Sequence, residues 1–568
     1  MLPARDGTAL HTITWLPDGP GPWPTVVTRV PYAMGIALDW QCRLLVRRGF
    51  ACVVQHVRGR GRSGGAWSPF VHEEHDGQDT LAWIRGQSWS NGRIGWLGDS
   101  YLAATGWTVA LQDPDGLSTL VSRIFAPSLY LSAYEDGLLR HELVTAWMAL
   151  MPDERNRLLG VGHHYRKALA HRPRTTLDVV AAGHPVPWYR EWLEAEDLSA
   201  ETWNRDDALA FQQAAETTVI PVLLIGGWAD AFIAAQLDVW SRLASRDQSL
   251  LVVGPWAHLG QKPSAIRLGG VAGPGDGPLE QLQIPRVLDW LATHLADAPA
   301  RTPQVGAITY VVGGDRWEFR PAWPPPTVPY RLGIEAGADG CSGRLVAQPT
   351  PLVAPLHWTY DPADPLPSRG GDGMLAGAIP TFNGVKPGFV RVRGACDRRA
   401  DVLRFQSAPL ERPLHFAGAI RVEMEVSSDV LDSAFGFRLL ERRRDGTEFL
   451  LREGFATLAL RDGAPRKPYT PGERVHLVPD ATPLEAEIHA GSSLVLVLTS
   501  SSFPSYEAHP NVSGLLSAAV ETRVAHQQVF AAVLTLPRVA VSNSDPGGVD
   551  GSGDLARGAG ADQAELSR

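Results

Sequence analysis

Between Thr25 and about Val121 the chain alternates β-branched runs with stretches of helical periodicity: TVVTRV, Ile36 to Arg48, FACVVQ, His75 to Gln87, RIGWLG, and a helical pattern after Ser100. Strands separated by helical patterns of roughly 10 to 15 residues must be joined by crossovers, which predicts βαβ units around a mostly parallel sheet. The alternation stops from about Leu129 to Thr217, where amphipathic windows such as LLRHELVTAWMALM dominate. It resumes with VIPVLLIGG, a helical pattern from Phe232 to Ala244, SLLVVG, and another helical pattern from Leu279 to Leu295. One sheet interrupted by a helical insertion accounts for this order.

A Pro-rich stretch, RPAWPPPTVP (Arg320 to Pro329), closes the alternating region, because consecutive prolines favour extended geometry and exclude helix. Beyond it, RLGIEA, IRVEMEVSS, FGFRLLER and SSLVLVLTSS, separated by Gly, Pro and Asp turns, predict an all-β sandwich or jelly roll. The expected divisions are an α/β core over 1–128 and 218–322, a helical cap over 129–217, a β jelly roll over 323–541, and a disordered tail over 542–568, where large apolar residues are scarce.

With 568 residues, 44% of them hydrophobic, the chain can bury several cores. A net charge of −9 without a Lys/Arg block offers no surface to nucleic acid. No window approaches a membrane span and no secretory leader is visible, so a cytoplasmic location with no membrane partner is expected. Cys42, Cys52, Cys341 and Cys396 are far apart and lack metal-ligand spacing, which predicts reduced thiols and neither a metal nor a cofactor. Self-association into a homo-oligomer stays open.

The run GRIGWLGDSYLAATGW (Gly92 to Trp107) places Ser100 between a strand and a helix. That is where a nucleophile elbow exposes a serine hydroxyl, and it is equally a place for a helix N-cap. The second glycine of the usual G-x-S-x-G is missing, since Leu102 stands there and the nearest small residue is Ala103. A serine needs a base, and the base an orienting carboxylate, in the chain order Ser, acid, His. GGWADAF puts Asp230 just after one strand, and VGPWAH puts His258 just after the next. Asp230 alone also reads as a helix cap. All three nevertheless fall at the carboxyl edge of the predicted sheet, where this fold builds its sites. His163 and His164, in the insertion, and His72 and His75, beside an acidic loop, read as surface residues.

RVPY (Arg29 to Tyr32), QHVRGRGRSGG, GRIGWLGDSYL, GGWADAF and VGPWAH, followed by GGDRWEF, DVLRFQSAPL and SSFPSYEAHPNVSG, together resemble the cocaine esterase-like CocE/NonD hydrolases, relatives of X-Pro dipeptidyl peptidases and α-amino acid ester hydrolases. The resemblance implies an α/β-hydrolase core with an inserted helical cap and a C-terminal galactose-binding-like jelly roll. It implies Ser100 as nucleophile, His258 as general base and acid, and Asp230 as the orienting acid. It also implies an oxyanion hole made by the Tyr32 hydroxyl and the backbone N–H of Tyr101. Two positions depart from the family pattern: Ala103 replaces a frequent Gly, and His56 replaces a common Asp, without a catalytic role being assigned to it.

The amino-ester relatives bind an α-ammonium with acids just after the triad Asp, whereas here Ala231, Phe232, Ile233 and Ala234 follow. An unpaired buried ammonium is costly, which argues against such substrates. Phe232 resembles one wall of an acyl pocket, and Trp147, on the cap, its partner. The expected reaction is therefore hydrolysis of a small-molecule carboxylic ester, or an amide, through an acyl-enzyme. An X-Pro dipeptidyl peptidase, an acyltransferase and a silent carbohydrate- or protein-binding module are the alternatives.

Overall fold

The computed structural model describes residues 1–32, 35–112, 116–151, 165–258, 279–373, 388–392 and 399–540. The expected tail, His163, His164 and Cys396 lie outside the described residues.

Among the described residues the first sheet has nine strands. They are β1 (Thr12–Trp15), β2 (Trp23–Val30), β3 (Ala51–His56), β4 (Ser90–Asp99), β5 (Thr119–Arg123), β6 (Val222–Ala229), β7 (Leu250–Ala257), β8 (Gly306–Val311) and β9 (Arg316–Arg320), in the spatial order β9-β8-β7-β6-β5-β4-β2-β3-β1. Pairing is parallel from β3 through β8 and antiparallel only at the two edges, β1 on β3 and β9 on β8. Every residue of β6 and β7 is buried, as expected of central strands covered on both faces. The sequence pattern does not predict the two edge strands. β9 is half-exposed along most of its length, and an edge covered on one side carries no continuous apolar run to read.

Alternation along the strands divides the core in two. Val26, Cys52, Leu97, Val121 and Ile225 pack with residues of α1 (Gly35–Arg47) and the C-terminal helix of the unit, while Val27, Val53, Trp96, Leu120 and Leu224 pack on the opposite face. That second face is covered by α2 (Glu73–Arg85) and α3 (Tyr101–Gln112). Over the carboxyl edge lie the helices of the insertion, among them α4 (His141–Leu150) and α5 (Pro187–Glu194). The chain then re-enters the sheet at β6 and continues with α6 (Ile233–Arg242) and, after β7, α7 (Leu279–Ala296).

From Thr327 onward the regular structure of the described residues is β apart from short 3-10 turns. Among these residues a twelve-stranded, mainly antiparallel sheet includes two long strands paired with each other, Leu414–Ser428 and Ala525–Val539. Buried and half-buried carboxylates join it to the first unit. Glu135 accepts the Phe455 N–H at 3.1 Å, Glu196 accepts the N–H groups of Leu516 and Ser517 at 3.0 and 2.8 Å, and Glu507 accepts from Arg174 at 2.9 Å. Charge-assisted bonds of this kind fix orientation more firmly than apolar contact alone.

Candidate active site

Ser100 stands alone between Asp99, the last residue of β4, and Tyr101, the first of α3. Its φ of +55° lies in the left-handed region that side chains other than glycine rarely adopt. The turn is held by the Ser100 N–H on the Arg123 carbonyl at 3.0 Å and by the Ser100 carbonyl, which accepts from Ala103 and Ala104 at 2.9 and 3.1 Å. Gly98 is required for the same reason of space: a Cβ there would come within 2.2 Å of the Leu102 backbone. The glycine that matters in Gly-x-Ser is thus the one before the serine, and Leu102 can occupy the later position because its side chain faces the buried core with Val30 and Leu97.

The Ser100 hydroxyl meets His258 rather than the first turn of α3. His258 follows β7 directly and is 4% exposed; its Nε2 lies 3.1 Å from Ser100 Oγ, and its Nδ1 lies 3.0 Å from Asp230 Oδ2. Asp230 follows β6 and is fully buried. Its second oxygen accepts the Phe232 N–H at 2.7 Å, so both carboxylate oxygens have defined partners. With Nδ1–H donated to the carboxylate, Nε2 presents its lone pair to the serine, the tautomer a general base needs. Three residues far apart in sequence meet because each terminates a strand in one parallel run of the sheet.

Tyr32, two residues beyond β2, reaches the same place from another strand end. Its hydroxyl accepts the Trp147 Nε1–H at 3.2 Å, and burial pushes its pKa up to about 12, so the phenol is neutral and keeps its proton to donate. Tyr101 is placed differently. Its hydroxyl donates to Glu73 Oε1 at 2.8 Å and accepts the Phe70 N–H at 3.0 Å, while Glu73 pairs with the buried Arg29 at 2.8 Å. Burial, reinforced by the Glu73 charge, holds the Tyr101 phenol well above its ordinary pKa. Its side chain is therefore committed to structure, and what it offers the serine is its backbone N–H, which at the first position of a helix has no intrahelical acceptor.

A cavity opens beside Ser100. Tyr32, Ser100, Tyr101 and Ser132 are its hydroxyl-bearing lining residues, and Phe232 and Trp147, the two expected wall residues, both line it. Phe232 stands with its ring 5.2 Å from that of His258. Sequence reasoning missed Phe70, Phe125 and Trp192, which complete the aromatic lining. Phe70 stacks on Tyr101 at 4.7 Å and has a φ of +68°, a strained turn held by the Tyr101 hydroxyl. No periodicity signals such a residue; only the preceding Ser68-Pro69 dipeptide marks a turn. His56, the other unassigned position, lies with its Nδ1 3.0 Å from that of His11, and burial lowers the pKa of both rings.

A serine, a carboxylate and a histidine in that chain order, at the ends of β4, β6 and β7 in one parallel run and under an inserted helical cover, are the arrangement of the α/β-hydrolases. Residues 6–260 match the X-Pro dipeptidyl-peptidase (S15 family) domain, and residues 298–530 match the X-Pro dipeptidyl-peptidase C-terminal non-catalytic domain. Cocaine esterase of Rhodococcus sp. (strain MB1 Bresler) is 27% identical over 556 residues, covering 91% of this chain and 92% of the relative. Among solved structures, an α-amino acid ester hydrolase superposes with a TM-score of 0.78 at 22% identity, covering 95% of each chain. A CocE/NonD family hydrolase from Staphylococcus aureus gives 0.62 at 16% identity, covering 94% of this chain and 92% of the other. The chain thus carries the S15-family catalytic domain followed by its C-terminal non-catalytic domain, and it is a carboxylic ester hydrolase of the CocE/NonD type.

Proposed function

We propose that the protein hydrolyses carboxylic esters carrying an uncharged, apolar acyl group, with Ser100 as nucleophile, His258 as base and acid, and Asp230 as the orienting carboxylate. The observation that carries this reading is the continuous contact from Ser100 through His258 to the buried Asp230, opening onto an aromatic cavity. In this mechanism Ser100 Oγ attacks the acyl carbon as its proton passes to His258 Nε2. The oxyanion is stabilised by the Tyr32 hydroxyl and the Tyr101 N–H, and the imidazolium returns the proton to the leaving alkoxide. Water, deprotonated by His258, then releases the acid. Residues 1–128 and 218–322 act as the catalytic core, 129–217 as the cap that shapes the pocket, and 323–541 as a β domain packed against both.

The cavity lining supports an uncharged acyl group. Among the described residues it contains no carboxylate; behind the lining, Glu73 is engaged by Tyr101 and Arg29, and Asp230 by His258 and the Phe232 N–H. An α-ammonium would be buried there without a counter-charge. Initial rates with p-nitrophenyl acetate, butyrate and benzoate, set against glycyl-prolyl p-nitroanilide, test the reading. Turnover of the esters with none of the anilide is expected, and the reverse preference would replace the proposal by a dipeptidyl peptidase.

The oxyanion assignment has its own test. Tyr32→Phe removes one donor and is expected to lower kcat by about 10²- to 10³-fold with little change in KM, because the bond is made to the transition state rather than to the ground state. An unaltered kcat would mean that the hydroxyl plays no part.

A further inference from the structure

The ladder between β6 and β7 is irregular just before Asp230. It runs in step from Leu223 opposite Leu250 to Gly227 opposite Gly254; beyond that Trp228 of β6 faces two residues of β7, Pro255 and Trp256, before Ala229 pairs with Ala257. A bulge of this kind takes backbone groups out of the ladder. The groups that hold the carbonyls around Asp230 come from outside this sheet. Arg452, on the β-domain strand Glu448–Thr457, donates from Nη2 to the Trp228 carbonyl at 2.7 Å. The N–H of Gly373 lies 3.4 Å from the Ala229 carbonyl. Arg140, which precedes α4, donates from Nη1 to the Ala231 carbonyl at 2.7 Å. Asp372 stands between the two arginines, 3.1 Å from Arg452 Nη1 and 3.7 Å from Arg140 Nη2.

Arg452 and Arg140 are 2% and 5% exposed. Burying two guanidinium ions is an expensive way to join two domains, since an apolar side chain of similar volume commonly serves as well or better. What a guanidinium adds is a directional fork that fixes acceptors in space. Here the fixed acceptors are carbonyls on both sides of one residue, Asp230.

We infer that the β domain positions the triad acid: Arg452, together with Asp372 and Arg140, sets the orientation of the Asp230 carboxylate and through it the tautomer of His258. The inference rests on the reading of Asp230 as the acid of the triad. Arg452, Asp372 and Arg140 are positioning residues, since none touches the reacting atoms.

The test is a double-mutant cycle, which separates an effect exerted through Asp230 from a general loss of structure. kcat and KM for p-nitrophenyl butyrate, normalised to titrated active sites, are measured for Arg452→Lys and Asp372→Asn in the wild-type and Asp230→Asn backgrounds, with Ser100→Ala as the baseline. Lysine keeps the charge but cannot hold two acceptors in a planar fork, and asparagine keeps the shape of Asp372 without its charge. Each change is expected to lower kcat by roughly 10- to 100-fold in the wild type, as a small displacement of a catalytic group does, with KM nearly constant. Each should have almost no further effect once Asp230 is Asn. Should Arg452→Lys fail to fold, Asp372→Asn carries the test alone. An unchanged kcat, or an equal loss in both backgrounds, overturns the inference while leaving the triad intact. Turnover persisting in Ser100→Ala overturns the triad reading, and the inference with it.

Discussion

Replacing Ser100 by alanine is expected to lower kcat by about 10⁶-fold, the loss found when a triad nucleophile is removed from a serine hydrolase. The melting temperature should stay within a few degrees. The stability argument is local: the substitution removes one hydroxyl and its single contact with His258 at 3.1 Å, on the order of 1 kcal/mol, and leaves the backbone bonds of the turn in place. Alanine also suffers much the same strain as serine at a φ of +55°. Rates with p-nitrophenyl butyrate, read beside a thermal melt, check both halves. A folded variant that retains near wild-type turnover would remove Ser100 from the mechanism.

The second large effect is that of Asp230→Asn, expected to lower kcat by about 10⁴-fold with the fold preserved. Asparagine can still accept the Phe232 N–H through its carbonyl oxygen, now made at 2.7 Å by Oδ1 of the aspartate. Its NH₂ then faces His258 Nδ1, 3.0 Å from the present Oδ2, and a donor in that position makes Nδ1 the acceptor. The imidazole proton moves to Nε2, where it points at Ser100 and cannot take the serine proton. The loss should appear in kcat rather than KM, because substrate does not touch Asp230. Kinetics together with a histidine ¹⁵N spectrum would follow the rate and the tautomer in the same variant. An unchanged tautomer with an unchanged rate would exclude Asp230 as the orienting acid.

Ser100, Asp230 and His258 were legible in the sequence because each is announced locally, by a hydrophobic run that ends at a polar residue before a helix or loop, and because a parallel sheet brings all such ends to one edge. Tyr32 follows the same logic, two residues after β2. The β-sheet domain was equally readable, since IRVEMEVSS alternates with period two and lies within the long strand Leu414–Ser428. The pocket walls obey no such rule. Trp192 sits on α5, where an aromatic on the apolar stripe of an amphipathic helix reads as ordinary core packing, and Phe70 owes its place to a strained turn fixed by a tyrosine hydroxyl 31 residues later. Arg452 is beyond sequence reasoning altogether. It lies 224 residues from the carbonyl it holds, and nothing around it in LLREGFAT distinguishes it from a surface arginine on an alternating strand.

The bond from Trp147 to Tyr32 bears on any attempt to redesign the enzyme. Trp147 lines the cavity, with its ring 6.3 Å from that of Phe70 and 4.9 Å from that of Trp188, and gives its N–H to the Tyr32 hydroxyl, the proposed oxyanion donor. Trimming it to admit a bulkier acyl group enlarges the pocket and at the same time releases the tyrosine, so selectivity and turnover are traded against each other at that position. Leu143, which lines the same cavity with no polar atom in its side chain, is where the pocket can be recut without touching the proton chemistry.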